Sequence, residues 1–301
     1  MEIRDLEYFL TCCQAGSFTA AAREAHIVQS AMSSAIARLE RELGVSLFDR
    51  SSTPVTVTEH GAALQAAAQR VLEAVQQARD DVAAVSGKVR GTVILGCLLH
   101  TAPLDLAAVL AALRRRYPEV IVQLRQSATG SAGNLEGILD GSIDIALTGG
   151  PPDPEPGHAP RGVIVRPLTS EPLVFVCPAD HPLSGRTRVT VADLADETIL
   201  RFPPGWGVRA AVDRVLGPDP SAIEIADYAL MLQVVREGFG TTLLPASAVG
   251  DGHQDLRLIP ADDPRLRWNL SAIISAARHP AAAATALLAE LTKAASINER
   301  D

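Results

Sequence analysis

Hydrophobic residues near the start of the chain recur at the three- and four-residue spacing of amphipathic helices. A first helix is predicted from four such residues, Leu6, Phe9, Leu10 and Cys13. A second helix, rich in alanine, is predicted from Phe18 to about Ala25, with Ser17 as its N-cap. The chain therefore begins with two short helices separated by the helix-ending pair Ala15-Gly16.

A third helix is predicted within residues 28–50, VQSAMSSAIARLERELGVSLFDR. Its apolar stripe consists of Met32, Ile36, Leu39 and Leu43, and Ser30, Ser34 and Arg41 lie on the opposite face. Gly44 ends it. A face of short hydroxyl side chains suits close approach to another surface. Two short helices joined by a tight turn, the second with such a face, indicate a helix-turn-helix.

The next segments predict a wing and a long helix. Phe48-Asp49-Arg50, a Ser-Ser-Thr-Pro turn and Val55-Thr56-Val57 are typical of a small β-hairpin. Thr58 can cap a helix over residues 59–85, in which apolar residues alternate at steps of four and three: Leu64, Ala68, Val71, Val75, Ala78, Val82 and Val85. This heptad seam favours pairing with a second copy of the chain. The alternative is that the seam packs on its own domain.

Beyond the linker Ser86-Gly87-Lys88, strand and helix patterns alternate, which predicts a mostly parallel α/β sheet. Strands are predicted at Thr92–Cys97, Val120–Leu124, Ile143–Leu147, Leu173–Cys177, Thr198–Phe202, Thr241–Leu244 and Leu270–Ile274. Helices are predicted at Pro103–Arg115, Leu135–Leu139, Ala229–Glu237 and Ala281–Ala294. The proline-rich stretch 149–160 is expected to be an exposed loop. This alternation occurs once before the proline-rich stretch and again from about Gly162. The repetition favours two lobes with a ligand cleft beyond the strand ends.

The predicted fold is thus α+β and multi-domain. Its parts are a winged helix-turn-helix at 1–58, a dimerising linker helix at 59–87 and a two-lobed α/β domain at 88–301. Lobe I is expected at about 91–161 and 268–295, and lobe II at about 162–267.

Composition agrees with a soluble, globular, cytoplasmic protein of two or three domains. The chain has 301 residues, of which 47% are hydrophobic and 21% charged. We expect no membrane segment and no signal peptide, because no apolar run reaches about 18 residues and the first residues are acidic. Four cysteines do not make a disulfide framework, and we expect reduced, mostly buried thiols. The net charge is −8, and residues 1–65 hold five arginines, no lysine and eight acids.

The stretch GSFTAAAREAHIVQSAMSSAIARLERELGVSLFDR, followed by TVTEHG, resembles the N-terminal signature of LysR-type transcriptional regulators. The similarity continues through RRRYPEV, GSIDIAL, ADHPL and VVREGFGTTLLP, and so covers nearly the whole chain in the expected order. It implies a winged helix-turn-helix, a dimerising linker helix and a two-lobed effector domain similar to periplasmic binding proteins. It also implies a homotetramer that binds double-stranded promoter DNA, contacts RNA polymerase and responds to a small co-inducer.

The resemblance also assigns DNA-facing positions. Matched residue by residue, the recognition-helix positions are Gln29, Ser30, Ser33, Ser34 and Arg38, and the phosphate-contacting positions are Arg4, Thr19 and Arg50. Serine hydroxyls are short enough to let the helix enter the major groove deeply, and Gln29 can bridge two groups on an adenine. The bland alternative is that Ser33 and Ser34 are simply solvated.

The chain departs from the family pattern at three positions of the helix-turn-helix and wing. Val28 stands where the family often has a serine N-cap, whose loss costs about 1 kcal/mol. Ser30 replaces a frequent proline, and Thr53, at the DNA-contacting tip of the wing, replaces an arginine that enters the minor groove. The winged helix-turn-helix at residues 1–58, called the headpiece below, is acidic. We therefore expect weak DNA binding by one dimer, a shallow salt dependence of that binding and reliance on avidity from several headpieces.

The resemblance places an effector between the lobes. The implied ligand-binding residues are Leu99, His100, Thr101, Ser127, Thr129, Thr148, Arg201, Phe202 and Pro203. Hydroxyls and N–H groups near helix starts suit an anion, and Arg201 would add a positive charge. His100 would hold an anion or donate to a neutral ligand, or be an ordinary loop residue. Phe202 and Trp206 would form a wall for a ring or belong to the lobe core, so the expected effector is anionic or aromatic.

Two other function classes are compatible with parts of the chain. Residues 205–210 match G-x-G-x-x-A after a strand, which would suit a dinucleotide-dependent enzyme. Pro203-Pro204 and the bulky Trp206 argue against that interpretation, as does the mid-lobe position. The second class is a solute-binding protein, but in such a protein the predicted helix-turn-helix would have no function. The sequence contains no G-x-S-x-G, no H-E-x-x-H and no clustered Cys/His set, so we expect no catalytic residues, metal or cofactor.

Overall fold

A computed structural model describes residues 1–50, 54–85, 88–150, 161–250 and 254–298. The chain divides into two compact units, Met1–Ser86 and Gly87–Asp301. No helix in these described ranges is both long and apolar enough to cross a membrane. The four cysteines carry free thiols, three of them buried and Cys13 partly so, as predicted.

The first unit has the predicted helices and hairpin. In chain order its elements are α1 (Ile3–Ala15), α2 (Phe18–Glu24), α3 (Gln29–Leu43), β1 (Phe48–Asp49), β2 (Thr56–Val57) and α4 (Glu59–Val85). The predicted caps are confirmed: Ser17 accepts a hydrogen bond from Ala20 N, and Thr58 Oγ1 accepts one from Gly61 N at 3.1 Å. β1 and β2 pair antiparallel and form the wing.

The core of this unit lies between α1, α2 and α3. Met32, Ile36 and Leu39 of the predicted stripe are buried, but Leu43 is 41% exposed, so that part of the prediction is wrong. The chain turns at Gly44, and Leu47, which is fully buried, joins the core in place of Leu43. The helical spacing is correct for Leu43, but the core ends before the last turn of α3.

The heptad seam of α4 has two different environments. Leu64 and Ala68 pack against the core of the same unit, as the alternative interpretation held. Val71 is 40% exposed and Val82 is 74% exposed. The seam therefore divides into a half that anchors α4 to its own headpiece and a half that is open to solvent in a single chain.

The second unit contains the remaining elements. They are β3 (Gly91–Cys97), α5 (Leu106–Arg116), β4 (Val120–Gln126), α6 (Ser131–Asp140), β5 (Ile145–Gly150), β6 (Val163–Pro178), β7 (Ile199–Leu200), α7 (Gly207–Leu216), α8 (Tyr228–Arg236), β8 (Thr241–Pro245), α9 (Ala246–Val249), β9 (Leu256–Pro260), β10 (Arg267–Ser275) and α10 (Ala282–Asn298).

The sheet of this unit is mixed, so the prediction of a mostly parallel sheet is wrong. Its order is β4-β3-β5-β10-β6-β8-β7, with β9 paired to β6. β3 runs parallel to β4 and β5, and β7 to β8, whereas β10 and β6 pair antiparallel with each other and with their other partners. The reason is that these two long strands run from one lobe into the other.

Several element boundaries also differ from the predictions. α7, α9 and β9 were not predicted, and β6 is much longer than expected. The helix expected from Pro103 begins at Leu106, because Asp105 caps it through Ala108 N at 2.9 Å. Gly149 and Gly150 end β5 and are not loop residues, while residues 151–160 lie outside the described part of the chain.

Candidate DNA-binding face and effector cleft

α3 presents the predicted polar face to solvent. Gln29, Ser30, Ser34 and Arg38 are exposed and Ser33 is partly so. Gln29 Nε2 donates a hydrogen bond to Ser33 Oγ at 2.9 Å, so these two side chains are linked along the helix. Val28 occupies the N-cap without a side-chain hydrogen bond. Gln29, Ser30, Ser33 and Ser34 therefore form a row of short hydroxyl and amide side chains along α3, called the ridge below.

Arg38 also has an internal partner. Its guanidinium forms an ion pair with Asp5, a carboxylate on α1 that is only 1% exposed. The hydrogen bond to Asp5 raises the pKa of Arg38 above its ordinary value. A buried carboxylate is unfavourable without a cation or donor. Arg38 therefore ties α3 to α1, and its charge is only partly available to a phosphate.

Arg50 is likewise held by its own chain. Its Nη2 lies 2.7 Å from Glu40 Oε2, and its guanidinium carbon lies 5.0 Å from the centre of the Phe18 ring. Glu40 Oε1 accepts a hydrogen bond from Leu47 N at 2.9 Å. Glu40 thus joins α3 to the start of the wing. Arg4 and Thr19 are exposed on α1 and α2, and Thr53 lies outside the described residues.

A cavity of about 320 Å³ lies in the cleft between the lobes of the second unit. The first residues of α6 and of α7 lie in its wall, together with the end of β5 and parts of β6 and β10. Its lining residues are Ser131, Ala132, Leu135, Thr148, Gly149, Gly150, Val165, Gly205, Trp206, Gly207, Ala210, Ser271 and Ile273. Of the predicted ligand-binding residues, Thr148 alone is among them.

A second, much smaller cavity of about 10 Å³ contains two more of the predicted residues, Leu99 and His100. That volume is close to the space one water molecule requires. Leu98, Ser131, Trp206, Gly207, Val208, Tyr228 and Trp268 complete its walls. Ser131, Trp206 and Gly207 line both cavities. Trp206 is therefore one of three residues that the two cavities share.

His100 connects the two lobes through Ser247. His100 Nε2 lies 2.9 Å from Ser247 Oγ, and Ser247 donates both its N–H and its O–H to Glu171 on β6. Burial alone would raise the pKa of Glu171, but the neighbouring His100, whose Nε2 lies 3.8 Å from Glu171 Oε1, and the hydrogen bonds from Ser247 outweigh it and lower that pKa. Since Ser247 O–H donates to Glu171, the consistent assignment has His100 Nε2–H donating to Ser247.

Arg201 is placed differently from the prediction. It is 6% exposed, its Nη1 donates to Gly217 O at 2.7 Å, and it forms an ion pair with Asp213 on α7. Neither cavity has Arg201 in its wall. A buried guanidinium requires a carboxylate partner, and Asp213 fills that requirement within lobe II. The prediction that Arg201 supplies a positive charge to the cleft is therefore wrong.

Phe202 belongs to the lobe core, which is one of the two predicted alternatives. It is 1% exposed, and its ring centre lies 5.0 Å from that of Trp206 and 4.7 Å from that of Tyr228. Pro203 O accepts a hydrogen bond from Trp206 N at 3.4 Å. Phe202 and Pro203 therefore help to hold Trp206 in place.

The remaining predicted residues form local turns outside both cavities. Ser127 Oγ accepts a hydrogen bond from Thr129 N at 3.1 Å just before α6. Thr101 Oγ1 lies 3.5 Å from Leu104 O. They shape the loops that precede α6 and α5.

The G-x-G-x-x-A stretch contributes to lobe packing. A Cβ on Gly207 would lie 2.4 Å from the backbone of Gly149, and a Cβ on Gly149 would lie 2.0 Å from the ring of Trp268. Gly207 is required because the two lobes approach closely here, and Gly149 is required because the Trp268 ring on the neighbouring strand β10 lies against it. The stretch follows β7 but leads into this contact, which accounts for the glycines without a dinucleotide.

Sequence reasoning missed several residues of the cleft. Tyr228, Trp268, Glu171, Ser247 and Ser271 lie on α8, β10, β6 and α9, far apart in the chain. No local motif marks them. The rarity of tryptophan, which occurs twice in 301 residues, was the one available signal for Trp268.

A winged helix-turn-helix, a long helix and a two-lobed domain with a cleft define a class of protein that binds DNA under the control of a ligand. Comparison with known families agrees with this class. Residues 3–62 match the bacterial regulatory helix-turn-helix protein model of the lysR family, and residues 86–296 match the LysR substrate binding domain. The chain belongs to the LysR family of transcriptional regulators.

Curated relatives and solved structures are consistent with this membership. The chain is 31% identical over 262 residues to the HTH-type transcriptional regulator CbbR of Xanthobacter flavus, covering 85% of this chain and 76% of that protein. It is 32% identical over 251 residues to a probable hydrogen peroxide-inducible genes activator of Mycobacterium leprae, covering 82% of this chain and 78% of that protein.

The fold is shared with two full-length structures. A full-length OxyR variant from Pseudomonas aeruginosa has a TM-score of 0.69 at 23% identity, covering 99% of this chain and 95% of that chain. CbnR complexed with its target DNA has a TM-score of 0.64 at 23% identity, covering 99% of both chains.

Proposed function

We propose that this LysR-family regulator binds promoter DNA through the exposed face of α3 and responds to a small molecule held in the cleft between its lobes. The observation that carries the proposal is the ridge formed by Gln29, Ser30, Ser33 and Ser34. Short side chains permit a helix to lie deep in the major groove, where hydroxyl and amide groups contact base edges or phosphates. Arg4 and Thr19 on the neighbouring helices then serve as backbone contacts.

The proposed assembly is a homodimer through residues 59–85 and a homotetramer of two such dimers. The exposed valines of α4, Val71 and Val82, support pairing, because an apolar seam left in water favours association. Contact of the tetramer with RNA polymerase remains a prediction. The relatives are transcriptional regulators, and we propose that this chain too has no enzymatic activity and acts in the cytoplasm.

The effector is proposed to act on the relative arrangement of the lobes. β6 and β10 connect them, and the contact between Gly207 and Gly149 and the His100–Ser247 hydrogen bond both cross the cleft. A ligand shifts such an equilibrium only by its differential affinity for the two arrangements. Effector domains that pack against each other in the tetramer would convert this shift into a new spacing of the headpieces on DNA.

The α3 face is tested with Ser34→Tyr, whose bulky ring would block entry into the groove. Ser142→Tyr is the matched control, since Ser142 is an exposed serine in the second unit. Genomic footprinting with the unsubstituted protein first identifies the operator, and gel shifts then compare the variants. We expect about a hundredfold loss of operator affinity for Ser34→Tyr, because several groove contacts worth about 1–3 kcal/mol each are lost, and no change for the control. Equal operator affinity of the two variants would contradict the proposal.

A further inference from the structure

Three polar side chains meet where the two lobes join, and each comes from a different part of the second unit. His100 follows β3 in lobe I, Ser247 lies on α9 in lobe II, and Glu171 lies on β6. β6 is one of the two strands that connect the lobes, and Glu171 pairs there with Trp268 on β10, the other connecting strand. Bonds among these side chains therefore tie the two lobes to each other and to the strands between them.

The three side chains form one chain of hydrogen bonds. His100 Nε2 lies 2.9 Å from Ser247 Oγ, Ser247 O–H donates to Glu171 Oε1, and Ser247 N–H donates to Glu171 Oε2 at 3.2 Å. Glu171 is a carboxylate at neutral pH, because its pKa is lowered in spite of its burial. Its negative charge strengthens the bond from the Ser247 hydroxyl, and the polarised hydroxyl is in turn a better acceptor for His100.

The His100 ring is enclosed by groups from outside its own lobe. Its side chain is only 13% exposed, and the Glu171 side chain only 14%. The ring centre of His100 lies 5.5 Å from that of Tyr228, which begins α8 in lobe II. Separation of the lobes would therefore break the bond to Ser247 and also the ring contact with Tyr228.

Resting on the proposed function, we propose that His100, Ser247 and Glu171 form a latch that holds the two lobes together when no effector is bound. The latch sets the resting balance between this arrangement of the lobes and one in which they are separated. Because the response to a ligand depends on that balance, the latch determines how much differential affinity an effector needs to move the lobes. Loss of the latch should move part of the population to the separated arrangement without any effector.

A backbone amide at another contact between the lobes reports their separation. Ala132 N, in the first turn of α6 in lobe I, donates to Gly205 O in lobe II at 3.1 Å. A first-turn amide has no acceptor inside its own helix, so the protection of Ala132 from hydrogen exchange depends on this contact. The latch side chains are not part of this bond. The exchange rate of Ala132 therefore rises with the population of separated lobes.

The latch is tested with Ser247→Ala in the full-length protein without any small molecule. Ser221→Ala is the matched control, since Ser221 O–H donates to Asp219 Oδ1 at 2.7 Å, a hydroxyl–carboxylate bond within one loop of lobe II. Mass spectrometry with single-amide resolution measures hydrogen exchange. We expect Ala132 to exchange about fivefold faster in Ser247→Ala, as the loss of one hydrogen bond implies, and at an unchanged rate in Ser221→Ala. An unchanged rate in Ser247→Ala, or equal acceleration in both variants, would overturn the latch.

His100→Phe tests whether the three groups act as one unit. Phenylalanine keeps a ring against Tyr228 and removes the Nε2–H donor, so Ala132 should again exchange faster. The double variant His100→Phe/Ser247→Ala should exchange more slowly than the product of the two single effects, because the second change removes a bond that is already broken. Independent effects of the two changes, or equal acceleration of the β3 amides in the core of lobe I, would contradict the latch.

Operator footprinting of the same proteins separates the latch from the proposed function. We expect Ser247→Ala to alter the footprint without any small molecule, and Ser221→Ala to leave it as it is in the unsubstituted protein. Faster exchange of Ala132 with an unaltered footprint would support the latch and overturn the proposed coupling of the lobes to DNA. Unchanged exchange would overturn the latch alone.

Discussion

At the scale of single residues, the cysteine side chains lie in or against the cores of the two units. Burial raises the pKa of Cys12 to about 12 and the pKa values of Cys13, Cys97 and Cys177 to about 11. The thiolate is the reactive form of cysteine. Burial therefore disfavours the thiolate at all four cysteines, and we expect them to react slowly near neutral pH.

We predict slow alkylation of the folded protein. At pH 8 a thiol of pKa about 11 is only about 0.1% thiolate, so labelling by iodoacetamide should be at least a hundredfold slower than in denaturant, by order of magnitude. Mass spectrometry counts the labelled cysteines, and the denatured protein is the control. Hydrogen peroxide should leave operator binding unchanged. Rapid labelling of one thiol at pH 8 in the folded state would show that its environment is not the one described.

The same pKa values predict how these cysteines affect stability as pH changes. Their folded-state pKa values lie above the ordinary value of 9.0, so the folded protein holds these protons more tightly than the unfolded chain does. The resulting contribution to the free energy of unfolding is complete below about pH 9. It should be lost as pH rises from 9 through 11, which denaturation at a series of pH values would detect.

At the scale of elements, the two halves of the α4 heptad seam have different environments. Leu64 and Ala68 fix its first turns to the headpiece core, and Val71 and Val82 remain open. A helix with an exposed apolar stripe gains stability when a second copy covers the stripe. The division explains how the same heptad pattern can orient the headpiece and also pair two chains.

We predict that charge at the exposed half of the seam breaks one interface of the tetramer. The double variant Val71→Glu/Val82→Glu should fall from tetramer to dimer, because each valine loses about 1.5–3 kcal/mol of burial and like charges then oppose each other. Sedimentation velocity measures the mass. Ala66→Glu is the control, since Ala66 is exposed on the side of α4 opposite the seam. An unchanged mass of the double variant would exclude pairing through this seam.

At the scale of the whole molecule, the charge balance is unusual for a DNA-binding protein. The chain has a net charge of −8, and its first 65 residues hold five arginines against eight acids. Two of those arginines, Arg38 and Arg50, are paired with Asp5 and Glu40. Few cations are therefore left to release counterions from DNA.

We predict a shallow salt dependence of operator binding. Each neutralised phosphate contributes about −0.9 to the slope of log K against log salt concentration. The full-length protein bound to one operator half through two headpieces should give a slope shallower than about −8, with affinity supplied by several headpieces acting together. Fluorescence anisotropy over a range of salt concentrations gives the slope. A steeper value would mean that the phosphate contacts are undercounted.

What the sequence determined by itself is local. The caps at Ser17 and Thr58, the helices of the headpiece, the wing and the heptad seam follow from side chains within a few residues of each other. Helix periodicity and capping depend on neighbours along the chain, so a single sequence reveals them. The exposed polar face of α3 was predictable for the same reason.

What only the tertiary structure decided is pairing between distant residues. Arg201 forms an ion pair with Asp213, Trp206 lies in the wall of both cavities, and Leu47 takes the place of Leu43 in the core. The mixed sheet arises because β6 and β10 cross between the lobes. Which partner a buried charge finds and which strand lies beside another depend on how the whole chain packs. No short stretch of sequence contains that information.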